Sequence, residues 1–588
     1  MKRFIVLVLI AAIAAVAIWA GLRSSRSTSS AAVSALLPKE ALGFVHLPDF
    51  NRARDEWHRS DIYELWREPA MQEFLQKPLA NSKRGETEEQ LRDFEKLEAR
   101  DIFIALTAWE NSSPKWIGGF RFRGSADAVE KVIGQWRANF PRRWTQAKRE
   151  TFTYQQHKID IVTSNQATVA TVYDGDWFFL AMNDVDELKA VLDRLDKRAT
   201  GPALASDETF AAAYKHMPSS FAALLYLRAD HFLERVMPSA MKAPGGAPDM
   251  SILRQMHSFC SAIAFDGGKM RDVLFVGMPK LAENGTLTRS SLVLGTKETF
   301  LYAAGFLNFK QMQWPATQTG APGLAAWPEK FRDRLAAKGI TLDDWDNAFG
   351  AEFGLLGDWP AGARWPAVLA TLPVKDSARA TKIVTAITML DEDATWIHAQ
   401  RDGVEYFTLQ SWGSVFSFAP TIALSGRVLV AGADVASVEA AIKRAANSSS
   451  DLAATQNFQK AEGTVPTAKQ AFAYVDLALL YTRLDAALRP MLLMATAFMP
   501  SINDNVDLSK YPPPEIITRH LSPIAMAQNY ERDGYVTESV GPITFYQALG
   551  GGAGVGVAGA FAYRGGIAPL AQPAIRKAAP TPTPSATP

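Results

Sequence analysis

A chain of 588 residues, 48% hydrophobic and 21% charged, has enough apolar material for substantial cores and a length suited to two or more domains. A formal net charge of +1 with no long Lys/Arg block gives no reason to expect a polyanionic partner such as nucleic acid. The single cysteine, Cys260, excludes an intrachain disulfide framework and any multi-cysteine zinc or iron–sulfur site; its setting, FCSAIAF, predicts a buried inert thiol rather than a nucleophile.

The chain opens with Met1-Lys2-Arg3 and the uncharged apolar run FIVLVLIAAIAAVAIWAGL, ending near Leu22 and long enough to cross a bilayer. Signal-like in its basic start, the run lacks a good small-residue cleavage site: Ala20 follows bulky Ile18 by two positions, and Val33-Ser34-Ala35 lies well beyond it. It reads as an uncleaved signal anchor in preference to a cleaved signal, and residues 24–35, SSRSTSSAAVSA, as a flexible spacer. Residues 1–35 are therefore assigned to anchor and spacer, and the membrane is the partner they imply.

The first folded region, 36–290, begins with a strand at ALGFVHL and charged, aromatic helices through 50–78 and 87–99. Strands at 101–107 and 116–122 precede a helix from Asp127 to Trp136 with Val129, Val132, Ile133 and Trp136 on one face. A hairpin follows: ATVATVY, the turn Asp174-Gly175, then WFFLAM. Helices at 184–195 and near 207–216, a strand around 221–227 and a strand pair near 259–278 complete the region.

The run DWFFLAMNDVDELKAVLDRL (176–195) returns as GRVLVAGADVASVEAAIKRA (426–445). Each is an apolar strand, a capping Asp (Asp184, Asp434) and a helix whose apolar face is Val185, Leu188, Val191 and Leu192 or Val435, Val438, Ala441 and Ile442. The correspondence extends to Leu204 and Leu452, Phe210 and Phe458, Pro218 and Pro466, Tyr226 and Tyr474, and upstream to Trp116 and Trp365, Phe103 and Phe353. His257 and His520 head matching hairpin-like runs, which predicts a shared packing or strand-edge role. Residues 291–541 accordingly read as a second copy of the α+β unit. Adjacent strand pairs among the helices predict a mixed, largely antiparallel sheet with helices on one face, duplicated within the chain and preceded by the N-terminal transmembrane helix. APGGAPD (243–249) and the triple proline at 512–514 read as exposed loops.

Residues 542–563, PITFYQALGGGAGVGVAGAFAY, suit either a second membrane span, with Gly552 and Gly556 as a close-packing pair, or a Gly-rich tail. Residues 564–588 are a disordered tail in composition. Gly554, Gly556 and Gly559 match the spacing of a dinucleotide fingerprint, but no acidic residue follows and the βαβ context is missing, so no cofactor is assigned.

No catalytic, cofactor-binding or metal-ligating residue is nominated. The eight histidines, including His46, His157, His216, His257, His398 and His520, are dispersed. Asp343-Asp344-Trp345-Asp346 reads as a helix start and Asp391-Glu392-Asp393 as a turn. Among fifteen tryptophans, Trp116, Trp365 and Trp177 read as core, whereas Trp57, Trp66 and Trp144 lie in charged surroundings better suited to partner contact.

The opening LLPKEALGFVHLPDF, the strand signals Tyr226-Leu227 and Tyr474-Val475, and two similar halves behind an apolar N-terminus resemble large exported bacterial proteins grouped as domains of unknown function. The resemblance implies an envelope setting and supplies no catalytic residues. The resulting expectation is a non-enzymatic, membrane-anchored, extracytoplasmic binding or scaffolding protein of the periplasm, with another envelope protein as its further partner. An envelope enzyme with a distributed site and a carrier of an apolar ligand between the halves are the alternatives. A reporter fused after residue 300 is expected to be active outside the cytoplasm, since the only strong membrane signal before it is residues 4–22. Cytoplasmic activity there would overturn the assignment, and a second reporter at 588 tells whether 542–563 crosses.

Overall fold

The computed structural model describes residues 31–77, 92, 94–110, 113–143, 147–165, 167–198, 201–236, 254–283, 285–306, 333–390, 394–410, 419–446, 449–498 and 507–548. The anchor at 4–22, the loop at 243–249, the turn at 391–393, Trp144, and the Gly-rich run and tail beyond 548 lie outside them. Among the described residues no helix is long and apolar enough to cross a membrane.

Ten strands belong to the first half: β1 Gly43–Asp49, β2 Arg100–Glu110, β3 Ser113–Arg121, β4 Lys148–Tyr154, β5 His157–Thr163, β6 Thr168–Asp174, β7 Trp177–Met182, β8 Ala223–Leu227, β9 Ser258–Asp266 and β10 Lys269–Gly277. Ten more belong to the second: β11 Thr299–Phe306, β12 Glu352–Asp358, β13 Ala367–Pro373, β14 Trp396–Arg401, β15 Val404–Leu409, β16 Thr421–Leu424, β17 Val428–Gly432, β18 Ala471–Val475, β19 Ile524–Glu531 and β20 Gly534–Gly541. All pair antiparallel. From one edge inward the order is β4-β5-β6-β7-β3-β2-β1-β8-β9-β10. From the other edge it is β14-β15-β16-β17-β13-β12-β11-β18-β19-β20, the same order ten strands later. The two runs join where β10 pairs with β20, and among the described residues no pairing links β4 to β14.

The helices used below are α1 Phe50–Trp57, α2 Asp61–Arg67, α3 Pro69–Phe74, α4 Ala126–Arg143, α5 Val185–Leu195, α6 Glu208–Tyr214, α7 Leu342–Ala348, α8 Ser377–Thr388, α9 Val435–Arg444, α10 Gln456–Glu462, α11 Leu477–Phe498 and α12 Pro514–Thr518. On one face of the sheet, Phe44, Phe103, Phe179, Tyr226 and Phe275 pack beneath Leu188, Val191 and Leu192 of α5 and Phe210 of α6. In the second half Tyr302, Leu356, Val430, Phe472 and Tyr474 pack beneath Val438 and Ala441 of α9 and Phe458 of α10. Asp184 and Asp434 cap their helices by accepting from the backbone N–H groups of Glu187 (3.2 Å) and Ser437 (2.8 Å), each such cap contributing about 1 kcal/mol.

Helices on a single face, as the sequence suggested, is corrected: both faces are covered. Phe178, next to Phe179, points the opposite way and packs with Phe120 and with Phe50 of α1 and Val129 and Ile133 of α4. Leu429, next to Val430, packs with Ile383 and Val384 of α8 and with Ala348 of α7. Two consecutive buried side chains in a strand demand cover on both sides, which WFFLAM and RVLVAG carried in their unbroken apolar runs.

The same alternation corrects the residue matching. Phe179 and Leu429 are on corresponding strands but opposite faces; Val430 holds the place of Phe179. One more residue separates turn from cap in the first half, and Asn183 absorbs it at φ 60. Likewise Phe103 is buried, whereas the core-facing neighbour of Phe353 is Gly354, paired with Ala304 as Phe103 pairs with His46. Trp365 is no core residue: it precedes β13, is 38% exposed and lies under the Arg364 guanidinium. Of the triple proline, Pro512 and Pro513 precede the helix, Pro513 exposed as expected and Pro512 buried, whereas Pro514 opens α12, where a missing N–H costs nothing. Asp344 does start a helix, in a reciprocal cap with Thr341. Cys260 is fully buried, its thiol pushed up by burial.

Leu192 is fully buried and Ile442 only partly so. Leu192→Asp is expected to destabilise the first half by several kcal/mol, on the order of burying an unpaired charge, Ile442→Asp by less, and Lys443→Asp, on the exposed side of α9, hardly at all. Chemical denaturation with limited proteolysis measures this; equal stability of all three would mean the helix faces are misassigned.

Candidate functional site

The residues with the most unusual chemistry gather at the seam between the halves. Eight residue pairs run from Met270 with Gly541 to Gly277 with Gly534. Gly534 permits the close approach there: a Cβ on it would overlap the Val276 carbonyl and lie 2.8 Å from the Phe275 ring. Mid-seam, Arg271 Nη1 donates to Glu538 at 3.0 Å and its Nη2 to the Thr464 carbonyl at 3.1 Å. One residue on, the Ser539 hydroxyl donates to the buried Asp272 carboxylate, yet burial still pushes that carboxyl up to about 6.

The two flanks of the seam are built differently. On one, Lys215 donates to Asp533 at 2.7 Å and the His216 ring stacks on Phe275 at 4.6 Å while reaching Asp533 at 3.3 Å. Burial alone would raise the Asp533 carboxyl, but these two donors together hold it below the usual carboxylate range. The opposite flank sets acids around α2 and α3 against bases around α12. His520 Nε2 donates to Glu68 at 2.7 Å, Arg519 reaches Glu68 at 2.5 Å, and Lys510 reaches Glu73 at 3.1 Å. Hydrogen bonding to His520, then to Arg519, holds Glu68 below its ordinary range. Phe74 meets Tyr511 edge to face at 5.3 Å.

Between this second flank and α10 lies a cavity of about 350 Å³. Its charged and polar lining includes Asp61, Lys269, Asn457, Lys460, Thr464, Arg519 and Ser522, and Ala461, Ala478, Leu521, Pro523 and Val540 supply apolar wall. Asp61 is held in place by its backbone N–H, which donates to the Gly268 carbonyl at 2.9 Å. Burial pushes the Asp61 carboxyl up despite Lys269 nearby. A shallower groove of about 490 Å³ at the far end of β2 and β3, lined by Glu110, Lys115, Asn183 and Asp186 among others, already has Lys115 paired to Glu110 at 2.9 Å.

The histidines scatter to separate tasks. His157 lies between Asp174 (3.1 Å) and Asp196 (2.8 Å), so both ring nitrogens face acceptor-only groups. His46 is fully buried 3.4 Å from Asp101, and His398 stacks on Phe407. His257 and His520 do not share a role: His257 is exposed before β9, whereas His520 pairs across the seam. Among the described residues no group of three or more His, Cys, Asp or Glu is placed to hold a metal. Lys269, Lys460 and Arg519 went unnoticed in the sequence because no local pattern links a hairpin, a helix and a loop so far apart.

No family model and no curated protein matches the chain. Matching solved structures include two titled as crystal forms III and IV of TP0453, each 8% identical with a TM-score of 0.24, covering 42% and 43% of this chain and 81% of that one. A likeness of this degree carries no inference about fold or function.

Asp272 generates a signed pH prediction. Its folded value of about 6 lies above the ordinary 3.8, so its contribution is fully present below about pH 4 and is lost as pH rises through 6. Asp272→Asn is therefore expected to stabilise the protein near neutral pH by up to about 3 kcal/mol, with the gain vanishing near pH 4. Denaturation at both pH values decides; an Asn variant no more stable than the parent at neutral pH would refute it.

Proposed function

We propose that the chain is a membrane-anchored, extracytoplasmic protein of the cell envelope, held by residues 4–22, whose two halves are copies of one α+β unit and which acts by binding or scaffolding another envelope component. The repeated strand order, and the burial of Leu204 and Leu452, Phe210 and Phe458, and Tyr226 and Tyr474 in matching places, supports the duplication.

The observation that carries the binding reading is the outer surface of α11. The first part of this helix is tied down: Asp476 accepts from the Leu479 N–H, Arg483 reaches Glu298 at 2.5 Å, and Arg489 pairs with Asp485 and donates to the Pro512 carbonyl at 2.7 Å. After Arg489 the helix has no charged residue, and Met491, Leu492 and Met494 are 45%, 40% and 59% exposed. Leu484, 40% exposed, lies two turns before Met491 on the same side. A monomer that needed only solubility would not present such a patch, and patches of this kind mark contact surfaces. The seam cavity sets Asp61, Lys269, Lys460 and Arg519 among its apolar wall residues, which favours a charged ligand over the apolar ligand of a carrier.

Lysine at Leu484, Met491 and Leu492 together is expected to leave the melting temperature close to that of the parent, because the three are exposed, and to abolish recovery of one stoichiometric envelope partner by the purified full chain. Undiminished recovery by the triple variant would remove α11 from the interaction.

A further inference from the structure

We infer that the seam cavity is a binding site for a phosphate-type oxyanion, independent of the surface of α11. Its cations come from three elements remote in sequence: Lys269 at the start of β10, Lys460 on α10 and Arg519 just past α12. Several other bases along the seam have an acid, as Lys215 has Asp533, Lys510 has Glu73 and Arg271 has Glu538. Among the described residues, neither Lys269 nor Lys460 has a carboxylate oxygen within 4.0 Å. Lys269 is half-buried and Lys460 exposed, and since neither ammonium is held in an ion pair, both are available to an oxyanion in the cavity.

Asp61 is the single acid in the lining, and it offsets Lys269 only in part; Arg519 brings a guanidinium whose charge is shared with Glu68. The Thr464 hydroxyl already donates to the Ala461 carbonyl at 2.7 Å, whereas the Ser522 hydroxyl makes only a long contact of 3.5 Å to Asp61 and can turn to a phosphoryl oxygen beside the lysines. A volume of about 350 Å³ falls in the range of small-ligand pockets. The opposite flank shows what a closed seam looks like: His216, two residues past α6 as Thr464 is two residues past α10, fills the space by stacking on Phe275.

The phosphoryl group could belong to a soluble monoester or to a lipid headgroup, and calorimetry with the detergent-solubilised full chain separates them. The probes are inorganic phosphate and glycerol 3-phosphate in solution, and phosphatidylcholine vesicles with and without phosphatidic acid. Saturable binding is expected to one of the two sources, weakening with added salt and falling at least about tenfold in the Lys269→Met, Lys460→Met double variant. The Lys269→Arg, Lys460→Arg double variant should retain it, and Lys443→Met should match the parent; thermal melts confirm that each variant is folded. Binding to the soluble probes alone assigns a soluble monoester, and binding only to phosphatidic acid vesicles assigns a headgroup. Absence of saturable binding to either source, or equal binding by the folded Met double variant, overturns the inference.

Discussion

The pairing of β10 with β20 is the constraint on which the rest depends. Each half by itself would end in an exposed strand with a full row of unpaired N–H and C=O groups, an edge open to pairing with other chains. Joining the two equivalent edges antiparallel satisfies both rows across eight residue pairs and turns two ten-stranded sheets into one. Because equivalent strands meet antiparallel, their partner residues share a face, and the cores under α5 and α9 lie on the same side of the sheet. The remaining edges are protected more lightly: β4 reads KRETFTY, with a charged run at its start, whereas β14 leaves Ile397 53% exposed.

The backbone seam treats the halves alike, but the side chains around it do not. Ion pairs at its borders are mostly half-exposed, so each contributes little alone and the ladder and apolar cores carry the association. What the charges decide is shape. His216 and Asp533 close one flank, whereas α2 and α3, bound through Glu68 to Arg519 and His520, leave a cationic hollow on the other. At the centre, the ionisation of buried Asp272, held by Ser539, opposes the fold near neutrality.

The first half also carries ionic features that the second replaces with apolar ones. His157, between Asp174 and Asp196, occupies the hairpin position that Val404 fills in β15. His46 on β1 stands where Ala304 stands on β11, judged by the shared pairing of Phe44 with Tyr226 and Tyr302 with Tyr474. The two halves therefore share a strand order while differing in the polarity of their interiors.

Much of the local structure was legible in the sequence. An unbroken apolar strand, an Asp cap and an amphipathic helix face marked both 176–195 and 426–445, because a strand covered on both sides, orphan helix N–H groups and the helical repeat each impose a local pattern. Residue matching by fixed spacing failed where one extra residue, Asn183, reversed which side of the strand faced the core; that parity is set by contacts with neighbours, as for Leu429 and Val430. Cover on both faces was implicit in the consecutive phenylalanines of WFFLAM but was settled only when α4 and α1 packed against Phe178. The seam cavity was not legible at all. Lys269, Lys460 and Arg519 share no motif, and they converge only because β10 pairs with β20 and carries α10 and α12 to the same place, a long-range pairing that no local pattern encodes.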